Sequence, residues 1–396
     1  MSITAIHIAR LELREISSVN EIARARLAAE SGIEYAICAI KKNALWRTTH
    51  TSGNTNTPLA AIGTLPETGS FTYSLIDMDG NLNDNNQDCV TIRSVGRAGK
   101  TTSVIQVMVH PRGAGLNCLG SAIHSAGQII ISSTLTSNQT VSANARIQTS
   151  GPGILQGSAW STSTITGTVT GSRSENQTPP KAMPDPMSVF EYYTANGTPI
   201  LFSSIPSAQI QNVVLTAGKN PFGTGTTNAE GIYVIDCQGL PLVIKNSRIE
   251  GTLVLLNAGD GTRVDNSISW KPAIPNFPAL MVQGSIEFSW DRYVPLTESW
   301  QGVNFNPPGA PYNGVSDSDQ SDSYPAVLEG LVYISDDLEI QKESAYSGVI
   351  IAQGMVALSK SSNFTYQSTY LNNAPPGFSA GTDMQIVPGT WKRVAY

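Results

Sequence analysis

The sequence predicts a mainly β protein: one long N-terminal α-helix, an antiparallel meander behind it, and a parallel β-helix in the remainder. Three observations predict this. Residues 10–47 hold 12 of the chain's 54 charged side chains, among apolar residues at helical spacing. β-Branched runs follow between Gly69 and Pro111. From about Leu116, short Ile/Val/Thr strands alternate with Ser/Thr/Asn/Gly turns.

The helix comes first, within a stem of residues 1–47. Ile8, Leu11, Ile16, Val19, Ile22, Ala29, Ile33, Ile37 and Ile40 recur every three to five positions around the Ala-rich "ARARLAAES". Such a period lays an apolar stripe along one side of a helix. Arg26 and Glu30 can meet on its outer face. Gly32 costs a helix about 1 kcal/mol relative to Ala, so close packing against a neighbour is expected there.

The meander occupies residues 48–112. "GSFTYSLIDM" opens one strand, and "CVTIRSVGRAGKTTSVIQVMVHP" supplies two more, joined near Gly96–Lys100. Between them lies "IDMDGNLNDNNQD", an oxygen-rich stretch. An EF-hand register fails, because Gly80 falls two positions early and Asp88 stands where a Glu belongs. Two readings stay open there: a plain turn, for which Asp-Gly and Asn-rich strings are standard chemistry, or a calcium site on Asp77, Asp79 and Asp84.

Residues 113–396 read as the β-helix. An apolar or polar residue, then Gly, then a strand recurs at Gly251, Gly284, Gly330 and Gly348; the last two stand one solenoid turn apart. Stacked rungs would bury Val and Ile inside the coil and leave Ser and Thr outside. A β-sandwich is the competing reading. Two segments interrupt the pattern: 174–200, Pro-rich and then helical around Pro186–Ala195, and 299–327, a long surface loop containing Asp317, Asp319 and Asp322.

At this point the residues carry a resemblance. Ala25, Ala28, Ala29, Gly32 and Glu34, followed by Asp77, Gly80, Asn81 and Asn83 at a strand end, resemble type IV pilin-like proteins, closest to the minor pseudopilin K group of type II secretion. "MPDPMSVFEYY", "PNFPALMVQGSIEF" and "PGTWKRVAY" resemble large pilin-like surface proteins of planctomycete-type bacteria, which join such a stem to a β-solenoid. The start departs from the pilin pattern, since the long apolar run that opens a pilin does not precede Ile8. The resemblance implies a non-enzymatic subunit of an extracellular or cell-surface filament, a type IV pilus-like homopolymer with a β-helix displayed for adhesion. Copies of the chain would meet through an assembly face of Leu11, Ile16, Val19, Ile22, Ile33 and Ile37.

Composition agrees with an outer location. Only 14% of residues are charged, against about 25% in ordinary soluble domains. A net charge of −6 without a basic tract gives no reason to expect nucleic acid as a partner. No stretch is apolar enough to span a membrane. Four cysteines, Cys38, Cys89, Cys118 and Cys237, allow two disulfides in three connectivities or four free thiols. No cofactor other than calcium is expected.

Catalytic motifs are absent from the sequence: no H-E-x-x-H, no G-x-S-x-G and no P-loop. The alternative function is a carbohydrate-binding or polysaccharide-cleaving β-helix on a pilin-like stem. Its candidates are Asp236, Lys245, Arg248 and Glu250, with Trp270, Trp290, Trp300, Tyr293 and Tyr312 either stacking on surface glycans or filling the core.

Overall fold

The computed structural model describes residues 3–43, 45–60, 69–84, 87–223, 226–379 and 383–395. The chain divides into two units: Met1–Gly113 with Ser379–Tyr396, and Ala114–Phe378. The β-helix therefore ends at Phe378 and not at the end of the sequence. Residues beyond it return to the first unit.

In that first unit, α1 (Ile3–Lys42) is a single helix of 40 residues. It lies on an antiparallel sheet of β1 (Leu59–Ala60), β2 (Ser70–Ile76), β3 (Val90–Ala98) and β4 (Thr101–Arg112) in sequential order. Two tail strands, Asp383–Ile386 and Lys392–Val394, both pair with β4. Without them the outer edge of this 12-residue strand would present unpaired backbone groups. Ala25, Ala29, Ile33, Ala36 and Ile40 bury the helix's inner stripe against Phe71, Ile92 and Val107. The helix approaches so closely that a Cβ on Gly96 would strike the backbone of Ala25 and Ala29, and one on Gly32 would strike Ser94. That contact offsets the helical cost of Gly32.

The second unit is a parallel β-helix whose rungs are not stacked in chain order. The first rung, Ile123–Ser125, Ile129–Ile131 and Thr134–Ser137, supports the second, Val141–Ala143, Ile147–Thr149 and Ile154–Gln156, through parallel pairs such as Ile123↔Val141 and Ile129↔Ile147. Ala159–Ser161 and Ile165–Thr166 begin a third rung on the second. The chain then crosses back along the solenoid, starts again at Thr198–Pro199 and Gln209–Gln211, and fills in towards its own beginning. Its last rung pairs with its first: Ile350↔Ile123, Val356↔Ile129 and Ser362↔Leu135. Inward columns such as Ile129, Ile147, Val356 and Leu338 are fully buried.

Both interruptions are folded structure. In 174–200, a 3₁₀ turn at Ser188–Phe190 leads into a short helix, Glu191–Asn196. These cover the outward side of one strand face: Phe190 meets Tyr333 edge-on at 5.6 Å, and Tyr192 meets Phe277 at 5.7 Å. In 299–327, Phe305, Ala310 and Tyr324 form a small core with Val214 and Leu296. Buried Glu298 accepts the N–H groups of Phe305 and Asp322 and the Tyr324 hydroxyl. Asp317 and Asp322 both accept the Asn306 amide, so this acidic run ties the segment together.

Gly330 and Gly348 are register partners in adjacent rungs, at φ of 129° and 150°. A Cβ on Gly348 would drive into the Gly330 carbonyl. Gly348→Ala should therefore lower the stability of the β-helix by about 2–4 kcal/mol. Thermal or denaturant unfolding that places the variant within error of the parent would contradict this corner geometry.

Candidate functional site

The oxygen-rich loop is organised by an arginine from the short helix Trp46–Thr49. Arg47 Nη1 donates to the Leu82 carbonyl at 3.2 Å, and Nη2 donates to the Asp88 carbonyl at 2.7 Å. Asp77 is buried, with its carboxylate 3.9 Å from the same guanidinium. Asp79 Oδ1 accepts the Asn81 N–H at 2.8 Å, and Asn81 Oδ1 accepts that of Asn83 at 3.3 Å. These are Asx turns, the local chemistry that lets Asp and Asn reverse a chain. Asp84 is exposed. Among the described residues no group of three or more His, Cys, Asp or Glu side chains is placed to hold a metal ion. Asn85 and Asn86, also in the loop, lie outside the described residues. Burial, then the neighbouring Asp79 charge, pushes the Asp77 carboxyl up to about 6.

The proposed assembly face divides. Ile33 and Ile37 belong to the first unit's own core, which corrects their assignment to a contact between copies. Val19 and Ile22 are 61% and 56% exposed. Ile22 continues the stripe of Ala25, Ala29 and Ile33 to the point where the sheet stops, and Val19 lies just beyond it. That point is the β3–β4 turn, where the Lys100 N–H donates to Glu21 at 3.2 Å. The side chains of Leu11 and Ile16 lie outside the described residues.

A flank of α1 beside the sheet lines a second feature, missed in the sequence. A trough of about 870 Å³ is lined by Leu27, Tyr35, Leu59, Phe71 and Trp391, with Glu30 and Glu34 at its rim. Leu27, Ser31, Glu34 and Cys38 follow helical spacing, but two polar residues in four hide the pattern. Trp391 comes from the far end of the chain.

The carbohydrate-active candidates do not form a catalytic groove. Arg248 is buried and donates to the carbonyls of Phe305, Ala310 and Pro311 and to Glu250, anchoring segment 299–327. Asp236 accepts the Asn257 amide, and Lys245 lies on an outward strand face. Trp270 and Trp290 are core residues, whereas Tyr293 and Trp300 are exposed. Tyr312 packs edge-on against Tyr324. All four thiols are free, with Cys38 exposed and the other three buried.

One polar chain under the 174–200 cover also escaped sequence reasoning. Lys181 Nζ donates to Ser121 at 2.5 Å, Ser142 donates to Ser121 at 2.7 Å, and His124 Nδ1 lies 2.7 Å from Ser142. Burial, with the Lys181 charge close by, pushes His124 down to about 3. Ser121, Ser142 and His124 have no solvent exposure, so no substrate reaches them.

No family model matches the chain, and no curated protein matches it. Among solved structures it is similar to the competence-associated pilin ComZ from Thermus thermophilus, with 11% identity, a TM-score of 0.36, and coverage of 94% of this chain and 98% of that one. It is also similar to an ice-binding protein of Shewanella frigidimarina, with 12% identity, a TM-score of 0.29, and coverage of 65% and 98%. A glycosylated ice-binding protein from an Arctic yeast matches with 12% identity, a TM-score of 0.29, and coverage of 64% and 94%. Among the described residues no helix is long and apolar enough to cross a membrane.

Two outcomes are expected of the loop. The Asp77 carboxyl holds its proton more tightly folded than unfolded, so the first unit should lose stability as pH rises from about 4 to about 6. Asp77→Asn should flatten that slope in pH-dependent melting curves; an unchanged slope would assign it to another group. Millimolar calcium or a chelator should leave the melting temperature where it was, and a clear rise with calcium would favour an ion site over turns.

Proposed function

We propose that this protein is a non-enzymatic structural subunit of an extracellular or cell-surface filament, associating with copies of itself through α1 and carrying the β-helix as a stiff, polar, adhesive element. The observation that supports this best is the uncovered forward part of the helix stripe. Val19 and Ile22 extend a buried row, yet among the described residues both are more than half exposed. Covering a side chain of this size contributes about 1.5–3 kcal/mol. Several per neighbour can drive association, although area alone does not set affinity. The uncharged polar surface of the solenoid suits contact with a matrix rather than chemistry at a cleft.

A second reading, glycan binding, is favoured by one feature. At the end of the solenoid a groove of about 390 Å³ is lined by Ser204, Ser207, Gln209, Gln211, Pro206 and Phe222, a neutral mixture of amides, hydroxyls and apolar surface that suits a sugar.

Sedimentation velocity and negative-stain imaging test the first reading. The protein should associate increasingly with concentration, and Ile22→Glu should suppress this by about tenfold or more. A protein that stays monomeric at the highest attainable concentration would end the filament proposal. Glycan-array binding by such a monomer would leave the second reading standing.

A further inference from the structure

We propose that segment 299–327 binds a calcium ion through Asp317, Asp322 and the side-chain amide of Asn306. The site belongs to the second unit, separate from the oxygen-rich loop of the first, and it stands independently of the filament reading.

Shared donors bring three carboxylates together here. Asn306 Nδ2 donates to Asp317 Oδ2 at 3.1 Å and to Asp322 Oδ2 at 3.0 Å. The Tyr324 hydroxyl lies 3.0 Å from Glu298 Oε1 and 3.4 Å from Asp322 Oδ2, and its single proton serves one of them at a time. Among the described residues none of these three carboxylates forms an ion pair. Arg248, the guanidinium that enters this segment, is engaged by backbone carbonyls and by Glu250. Like charges this close repel, and a cation between them offsets the repulsion. Glu298 is buried, and its oxygens already accept the Phe305 and Asp322 N–H groups and the Tyr324 hydroxyl, so it supports the segment without being a ligand. Asp317 and Asp322 are only half-buried, which lets each face an ion and water together.

Asn306 points to the same ligand. It is 2% exposed, its side chain reaches in between the two aspartates, and its Oδ1 is buried with no hydrogen-bond partner. An acceptor left bare in the interior is costly. The terminal torsion of Asn is broad, so a cation between the carboxylates can draw Oδ1 towards itself. The groups are also held adjacent in advance. Asn304 Oδ1 accepts the Asn306 N–H at 2.8 Å, and Asn304 Nδ2 donates to Asp317 Oδ1 at 3.1 Å. Two carboxylates and an amide oxygen, completed by water from the open side, make a hard-cation set; an irregular segment suits calcium better than magnesium, which demands near-ideal octahedral geometry. With two charged ligands open to solvent, the Kd should be on the order of 10⁻⁴–10⁻³ M, the range of extracellular calcium modules.

Calorimetric titration of the full chain with calcium tests this, alongside titration with terbium, whose luminescence the neighbouring Tyr324 can sensitise. Calcium should bind, suppress the terbium signal in excess, and raise the melting temperature of the second unit while the first unit's stays where it was. Asp317→Asn and Asp322→Asn keep the side-chain size and should each weaken calcium binding at least about tenfold, whereas Asp79→Asn should leave it unchanged. Asn306→Asp separates a ligand from a mere clamp. A third carboxylate should tighten calcium binding by about tenfold, while loss of the amide donors lowers the melting temperature in a chelator. An Asn306→Asp protein destabilised equally with and without calcium would overturn the site. So would terbium and calcium binding that survives Asp322→Asn, or binding that Asp79→Asn abolishes, which would place the ion in the first unit. A parent that shows neither calcium heat nor terbium luminescence at millimolar concentrations would overturn it as well.

Discussion

The β-helix depends on the seam where its last rung lies on its first. Ile123–Ser125 has a parallel neighbour on each side, Val141–Ala143 made shortly after it and Ile350–Ala352 made more than two hundred residues later. Backbone donors and acceptors at that level have no other partners, and leaving them unpaired in the interior is costly. If the seam opened, two stacks would each expose an edge and an apolar cross-section. The cover would suffer too, since Tyr333, on a rung next to the seam, is held between Phe190 and Phe378. A contact of such sequence separation forms slowly, because its loop must close before the pairing is rewarded.

Much of this was legible in the residues, and the limits have physical causes. The helix and meander follow from local period and turn chemistry. Gly32 pointed to a close neighbour, which is the Ser94 side chain on β3. Periodicity shows that a helix has an apolar side but not what covers it. Ile33 and Ile37 therefore looked the same as Val19 and Ile22, although the sheet reaches only the first pair. Rungs were visible through Gly330 and Gly348, whereas their spatial order was not, because similar rungs accept one another. The tail strands of residues 383–394 could not be foreseen, since their partner, β4, is distant in the chain. Arg248 and Glu250 looked chemical because they are close in sequence; the carbonyls that consume Arg248 come from a segment read as loose.

The larger polar networks of the second unit are buried at its covers, while its strands bury small hydroxyls such as Ser125, Ser247 and Ser362. Glu298, Arg248 and the Lys181–Ser121–Ser142–His124 chain all lie where an irregular segment is laid on the solenoid. Regular strands satisfy their own backbones, so the rung interior is mainly apolar. Irregular segments bring unpaired carbonyls and amides, and these need side-chain partners of fixed geometry. A cover held this way tolerates little substitution at its anchors, while solvent-facing rung positions are freer to vary.

The tail strands on β4 also bear on how the protein is made. The entire β-helix is encoded between β4 and the strands that complete its sheet. During synthesis the helix and strands β1–β4 emerge early, yet β4 keeps an open edge until residues 383–394 have left the ribosome. Throughout that interval a nascent chain carries a ready template for pairing with its neighbours. A chaperone that shields this edge until the tail arrives would protect the unfinished sheet from such pairing.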